Sequence, residues 1–360
     1  MNLQETRILH ITNVMDIGGV QKIIYEICLG TQKAFEKIFV ASSGGEYADK
    51  VEKLGIQHIL IPDLSSKNVG EIHKLKKILK QVIKENDINL IHCHHRMAVF
   101  YAKLWFKDVS IIYNNHTIYS NKKWMSHFTL RNIKIVADGI QAKRNLTDYF
   151  ELDEKQITVI NNAVDEYKGV FEEIEEIAEE KRKGQFIVMN CSRLHPQKAV
   201  NYFIEAASIL RDKGLQIKFF IVGDGEERKA LEKLVSDLNL ESHVFFLGFL
   251  DNIKNTIWNC DLLVQTSIYE GLPLTPMEAF SVKRTVIGTD IEGTREVIHD
   301  GVNGLLAENR SPKSIAEMIE KLYYDRQLLE QLSNQAYESF LNEFCADVMV
   351  NRYLDFYRGL

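Results

Sequence analysis

The chain has 360 residues, 45% hydrophobic and 26% charged, with a formal net charge of −6. That balance excludes a disordered or low-complexity protein, and no apolar run approaches the roughly 20 residues a membrane span requires. The length favours two domains of similar size.

Aliphatic, β-branched runs alternate with stretches of helical period along the whole chain. In the first half, strands are expected at 7–11, 37–41, 57–61, 89–93, 110–113, 133–137 and 157–160, with the clearest helices at 21–31 and 71–86. Residues 166–184, dense in Glu and Lys, read as a charged surface connector. A second alternation follows, with strands at 185–191, 217–222, 244–247, 262–265 and 285–288 and helices at 198–213 and 226–238. The tail from 314 to 360 is helical in period. This predicts an α/β fold built on parallel sheets, with ligands at the carboxyl ends of the strands. Cys28, Cys93, Cys191, Cys260 and Cys345 show no C-x-x-C spacing and read as reduced thiols. No signal-peptide pattern precedes the first strand, so a cytoplasmic protein is expected.

The stretch 266–304 carries the most chemistry. Thr275 reads as a helix N-cap, Pro276 as the first helical position, and Glu278 as the distal member of a capping box. Gly271, Leu272 and Leu274 would then aim backbone amides at an anion. Glu278 can be a cap or a ligand contact; Glu270, a loop carboxylate, has no capping work. Arg193 and Lys198 lie in a loop joining a strand end to a helix start. Each alone is an ordinary surface cation, but together they can clamp a pyrophosphate. Gly223 sits in a tight strand-to-helix turn, and Phe249 is either core or a contact for a base. Gly18 and Gly19 follow the first strand without forming a G-x-G-x-x-G fingerprint. His92, His94, His95 and His116 raise the question of zinc. Alternation on one strand points neighbours to opposite faces, and no second ligand pair has suitable spacing, so no metal ligand is assigned.

The E-x7-E spacing of Glu270 and Glu278, followed by V-I-G-T-D, G-T-R-E-V-I and D-G-V-N-G-L-L, resembles the retaining glycosyltransferases of the GT-B fold, family 4 type (glycosyl transferases group 1). The resemblance covers nearly the whole chain and is more specific in the second half. One departure is V-K-R-T at 282–285, where the family more often has a Gly and a Pro. The resemblance implies two Rossmann-like domains facing across a cleft: 1–168 on the acceptor side, a linker at 169–184, and a nucleotide-sugar domain at 185–339, with about 340–360 crossing back. It implies that Arg193 and Lys198 grip the donor diphosphate, that Glu270 binds hydroxyls of the transferred sugar, and that Glu278 holds the ribose. It places Gly223 and Phe249 at the nucleotide, Gly18 and Gly19 near phosphate and acceptor, and His116 close to the donor sugar. Asn161 and Asn162 resemble the family's crossover motif. The implied reaction is sugar transfer from a nucleotide sugar, a UDP-sugar favoured, to a glycan or lipid-linked acceptor with retention, in surface polysaccharide or glycoconjugate synthesis. No D-x-D is placed to hold a metal, so metal-independence is expected, with no cofactor. The alternatives are a non-catalytic partner subunit of the same fold, a nucleotide-sugar epimerase or hydrolase, and a phosphorylase, for which no pyridoxal-phosphate lysine motif is found. Nothing points to nucleic acid.

Residues 1–170 carry 23 Lys and Arg against 19 Asp and Glu; residues 171–360 carry 21 against 31. Only the half expected to bind acceptor is basic. Within it, residues 67–84 hold six lysines, one acid and apolar residues at helical spacing. With Tyr101, Leu104, Trp105, Phe106, Lys103, Lys107, Lys122, Lys123 and Trp124 nearby in sequence, this suggests peripheral contact with the inner face of an anionic membrane. Packing of the same helix on the sheet would produce the same pattern.

Overall fold

A sequence that alternates short apolar strands with helices has to pair its strands in parallel, because each helix returns the chain to the same sheet edge. The computed structural model describes residues 1–360 and has this architecture twice. The first unit comprises residues 1–162 and 346–360. Its strands are β1 (Arg7–Ile11), β2 (Lys37–Ser42), β3 (Gln57–Leu60), β4 (Leu90–Cys93), β5 (Ser110–Asn115), β6 (Lys134–Ala137) and β7 (Ile157–Val159). They form one parallel sheet in the order β3-β2-β1-β4-β5-β6-β7. The order reverses between β1 and β4, the point where such sheets open a crevice at their carboxyl edge. The C-terminal helix Ala346–Arg358 belongs to this unit and buries Tyr353 and Tyr357 completely.

The second unit comprises residues 163–345. Its strands are β8 (Phe186–Cys191), β9 (Ile217–Val222), β10 (Val244–Gly248), β11 (Leu262–Gln265), β12 (Val286–Thr289) and β13 (Gly304–Ala307). The sheet is again parallel, in the order β10-β9-β8-β11-β12-β13, reversing between β8 and β11. β8, β11 and β12 are buried along their whole length, as strands covered on both faces must be.

Three expectations need correction. The connector at 169–184 is part of the second unit: its helix Glu175–Arg182 buries Ile177 and Ala178 in that core, so two apolar residues outweigh the surrounding charge. The strand β13 went unanticipated because four residues, Gly-Leu-Leu-Ala, carry too little β-branching to stand out. The helix Val69–Glu85 buries Leu75, Leu79 and Ile83 in the core of the first unit, so its apolar stripe already has a partner and is not offered to a bilayer. Its lysines are the solvated side. No helix is long and apolar enough to cross a membrane.

Candidate active site

Five loops of the second unit gather at the carboxyl ends of β8 to β12. After β8, the 3-10 turn Pro196–Lys198 is capped by His195, whose Nδ1 accepts from the Gln197 amide at 3.2 Å. Ala199 then adopts a left-handed conformation (φ 45°) before the helix Val200–Asp212 begins. Such strain at a buried alanine costs on the order of 1–3 kcal/mol and persists only where the surroundings impose it. It leaves Lys198 at a sharp corner, its carbonyl accepting from Thr266 Oγ1 at 2.8 Å.

Lys198 Nζ donates to Glu270 Oε1, with side chains 22% and 10% exposed. Glu270 also accepts from Gln265 Nε2 at 3.2 Å and Gln197 Nε2 at 3.4 Å. Gln197 Nε2 holds the Tyr269 carbonyl at 2.9 Å as well. One carboxylate is thus fixed by three donors from two loops. Arg193, five residues earlier, is exposed and has no side-chain partner. The two expected clamp residues therefore differ: one cation is already engaged, the other is unengaged.

Gly223 has φ 124°, and a Cβ there would lie 2.0 Å from the Ser192 carbonyl oxygen. Only glycine lets the β9 turn pack against the loop that carries Arg193. The Gly223 amide donates to the Gly248 carbonyl at 2.7 Å, which ties in the loop of Phe249. Phe249 is 68% exposed and so is not core.

The helix after β11 begins at Leu274, with Pro273 as its N-cap and no side-chain cap bond. Thr275 is therefore not the cap, and the capping box with Glu278 does not form. The reason is Pro273: its ring presets the entry and Leu274 continues as helix, which moves the start two residues earlier. The amides of the first turn have no intrahelical acceptor and face the loop of Gly271 and Leu272. Glu278 is half-buried on this helix, near enough to the Cys191 thiol to help raise its pKa, after burial and Cys260. Glu278→Gln should weaken nucleotide binding. Calorimetry with nucleoside diphosphates checks this; unchanged affinity would remove Glu278 from the binding set.

The V-K-R-T departure is accommodated locally. Lys283 takes a left-handed turn (φ 55°), and Arg284 donates to the Cys260 and Trp258 carbonyls at 2.6 and 2.8 Å. Sequence reasoning missed Gln197 and Gln265, which hold Glu270, and Gly293, where a Cβ would meet the Gly271 carbonyl at 2.1 Å. Gly293 was visible as the first residue of G-T-R-E; nothing local marked the two glutamines.

Gly18, Gly19 and His116 lie in the first unit. Gly18 is extended (φ 175°) and N-caps the helix Gly19–Thr31 without a side-chain bond, so this is another uncapped helix start after the first strand of its sheet. His116 is only 4% exposed at its side chain. Its Nδ1 lies 3.1 Å from Asp138 Oδ2 and its Nε2 lies 3.0 Å from His94 Nδ1. His95 caps the helix Arg96–Trp105.

His92 and His94 are two apart and so share a face, as strand alternation dictates, and His10 of β1 is the register partner of His92. One ring nitrogen from each lies within 4.8 Å of the others. A coordination shell needs lone pairs converging on one point. Here both nitrogens of His94 are engaged, by His10 and His116, and the His92 ring lies over it with centroids 4.2 Å apart. The cluster is wired as a hydrogen-bonded row.

Two Rossmann-like domains, the second with a carboxylate, a lysine and an uncapped helix start at its carboxyl edge, define the GT-B class. The family models agree. Residues 17–168 match the model described as Glycosyltransferase Family 4, and residues 171–339 the model described as Glycosyl transferases group 1. The chain belongs to the group 1 glycosyltransferases. A relative in Escherichia coli, a UDP-Gal:alpha-D-GlcNAc-diphosphoundecaprenol alpha-1,3-galactosyltransferase, is 24% identical over 98% of this chain and 96% of its own. Among solved structures, a glycosyltransferase from Rickettsia africae superposes with a TM-score of 0.85 at 21% identity, covering 99% of this chain and 98% of its own. An Anabaena protein solved in complex with UDP-glucose gives 0.82 at 19% identity, over 99% and 100%.

Proposed function

We propose that the protein transfers a hexose from a UDP-sugar to a glycan or lipid-linked acceptor with retention of configuration. The observation that carries this reading is the pairing of Lys198 with Glu270 at the carboxyl edge of β8 and β11, flanked by the unengaged Arg193 and the uncapped helix at Leu274. Arg193, Lys198 and the amides of Gly271, Leu272 and Leu274 would receive the diphosphate, where negative charge grows as the glycosidic bond breaks. Glu270 would bind hydroxyls of the sugar, Glu278 the ribose, and Phe249 the base. In the front-face route the leaving phosphate takes the acceptor proton, so no protein carboxylate forms a covalent intermediate. Gly18, Gly19 and His116 would serve from the first unit. The E. coli relative, whose name specifies a diphosphoundecaprenol-linked acceptor, and the UDP-glucose held by the Anabaena neighbour support this choice.

The test is a thermal-shift screen with UDP, GDP, ADP and their sugars, followed by turnover assays. A ligand at about 100 times its Kd should stabilise by roughly 2.7 kcal/mol. Stabilisation by none of them would overturn the reading. With the charge supplied by the protein, turnover should persist in EDTA; loss restored by magnesium or manganese would replace this mechanism with a metal-assisted one.

A lipid-linked acceptor also requires a way to reach a bilayer. The helix Lys123–Leu130 exposes Trp124 (77%), Met125 and Phe128, and the adjacent helix Arg96–Trp105 exposes Phe100 and Leu104 (59%). Tyr101 and Phe106 are buried and take no part. The two helices are tied by Lys103 Nζ, which donates to the Thr129 and Arg131 carbonyls at 3.0 and 2.9 Å. Arg131 lies over the Phe128 ring at 4.5 Å, the Lys76 ammonium over the Trp105 ring at 5.9 Å, and Lys123 pairs with Glu151. Exposed aromatics beside cations fit an anionic lipid surface. In flotation with anionic vesicles, Trp124→Ser with Phe128→Ser should abolish binding, and removal of Lys74, Lys77, Lys80 and Lys84 should weaken it in a salt-dependent way. No binding at low salt would favour a soluble acceptor.

A further inference from the structure

Four adjacent strands of the first sheet end in a single buried row. Asp138 follows β6, His116 follows β5, His94 follows β4, and His10 lies on β1. The contacts run in sheet order: Asp138 Oδ2 to His116 Nδ1 at 3.1 Å, His116 Nε2 to His94 Nδ1 at 3.0 Å, and His94 Nε2 to His10 Nδ1 at 3.0 Å. The ring centroids are 5.3 Å apart at both imidazole steps, with planes within 20°. That spacing is head-to-tail hydrogen bonding in one plane, whereas His92, tilted by 33° against His94, approaches to 4.2 Å.

The carboxylate decides the direction of every bond, because it only accepts. Asp138 also accepts from Asn162 Nδ2 at 3.0 Å. His116 must then carry its proton on Nδ1. Its Nε2 is then the acceptor toward His94, while the Asn114 carboxamide nitrogen lies against the ring, 3.1 Å from Nδ1 and 2.9 Å from Nε2. His94 therefore donates from Nδ1 and accepts at Nε2, and His10 donates from Nδ1. The row must end in an acceptor without a donor, and His10 Nε2 is indeed buried without a partner.

We propose that Asp138, His94 and His10 are positioning residues for His116: the row of hydrogen bonds fixes the ring and holds its imidazole in the Nδ1–H form. The proposal rests on the proposed placement of His116 at the donor sugar. His94 and His10 act here as neutral imidazoles. Burial keeps them neutral: it pushes His10 down to about 3 and His94 well below the usual histidine range. The groups facing the row are His92, whose Nδ1 meets the Tyr357 hydroxyl at 2.8 Å, together with Tyr353, Asn114 and Asn162. No cation faces it, since Arg96 is bonded to Ser126 and Asn121 and lies over the Tyr119 ring.

The test uses the full chain, labelled with 15N-histidine, and two-bond 1H–15N correlations. At pH 8, His10, His94 and His116 should all show Nδ1–H. Nε2–H on His10, His94 or His116 at pH 8 overturns the row. In turnover assays with the accepted nucleotide sugar, Asp138→Asn should lower kcat by about tenfold to a hundredfold, as loss of an orienting partner typically does, with KM within about twofold and partial rescue by Asp138→Glu. Unchanged kcat with the tautomers as expected overturns the positioning role. A wild-type protein that turns over no nucleotide sugar, yet shows these tautomers, instead fails the glycosyltransfer reading.

Discussion

Lys198→Ala is expected to reduce kcat by about a hundredfold to a thousandfold, ~2.7–4 kcal/mol, the range for removing one charge-stabilising donor from a site where negative charge develops. Without a donor substrate, Lys198 is bound to Glu270. In the proposed function, phosphate binding would draw it into a second interaction, and the lysine would then link the carboxylate proposed to bind the sugar to the leaving group. Its loss has two separable consequences. A leaving phosphate deprived of its cation lowers turnover. A Glu270 side chain 10% exposed and left with only Gln197 and Gln265 lowers stability, because removing one member of a buried pair strands the other. The double variant Lys198→Ala with Glu270→Gln should therefore recover melting temperature but not activity. Arg193→Ala removes an exposed, unpartnered cation, so it should lower turnover with no change in stability. Wild-type turnover in Lys198→Ala would remove the lysine from the clamp.

The second large effect is acid unfolding of the first unit. His10, His92 and His94 are fully buried, and burial lowers the pKa of each, with neighbouring histidines adding to the effect at His92 and His94. In the unfolded chain each titrates near 6.5. The unfolded state therefore binds more protons below that pH, and stability falls as pH falls. Their neutral burial is fully tolerated above pH 6.5; the loss begins there and, for His10, continues to about 3. Each site contributes about 1.4 kcal/mol per pH unit, so three together cost ~4 kcal/mol for each unit below 6.5. Set against a typical domain stability of about 5–15 kcal/mol, the first unit should unfold between roughly pH 5 and 3. Thermal melts followed by circular dichroism from pH 7.5 to 4.5 measure this, and a melting temperature flat from 7.5 to 5 would contradict it.

By itself the sequence determined the two parallel sheets, because strand–helix alternation leaves no other pairing, and most strand positions, because β-branched runs such as Ile217–Val222 are local signals. It also marked Glu270, Glu278, Arg193 and Lys198, whose spacing along the chain is itself the signature. Tertiary structure decided what depends on neighbours distant in sequence. Glu175–Arg182 belongs to a core because Ile177 and Ala178 find one there. The lysine-rich helix is a sheet-packing helix because Leu75 and Leu79 meet the first core, while the exposed aromatic surface lies on Lys123–Leu130 instead. The helix at Leu274 starts without a capping box because Pro273 sets its entry. The row from Asp138 to His10 spans 128 positions of chain and is assembled only by the register of four strands. Spacing along the chain says nothing about a network whose members meet through the sheet, since each hydrogen bond depends on which strands are adjacent and how they are aligned.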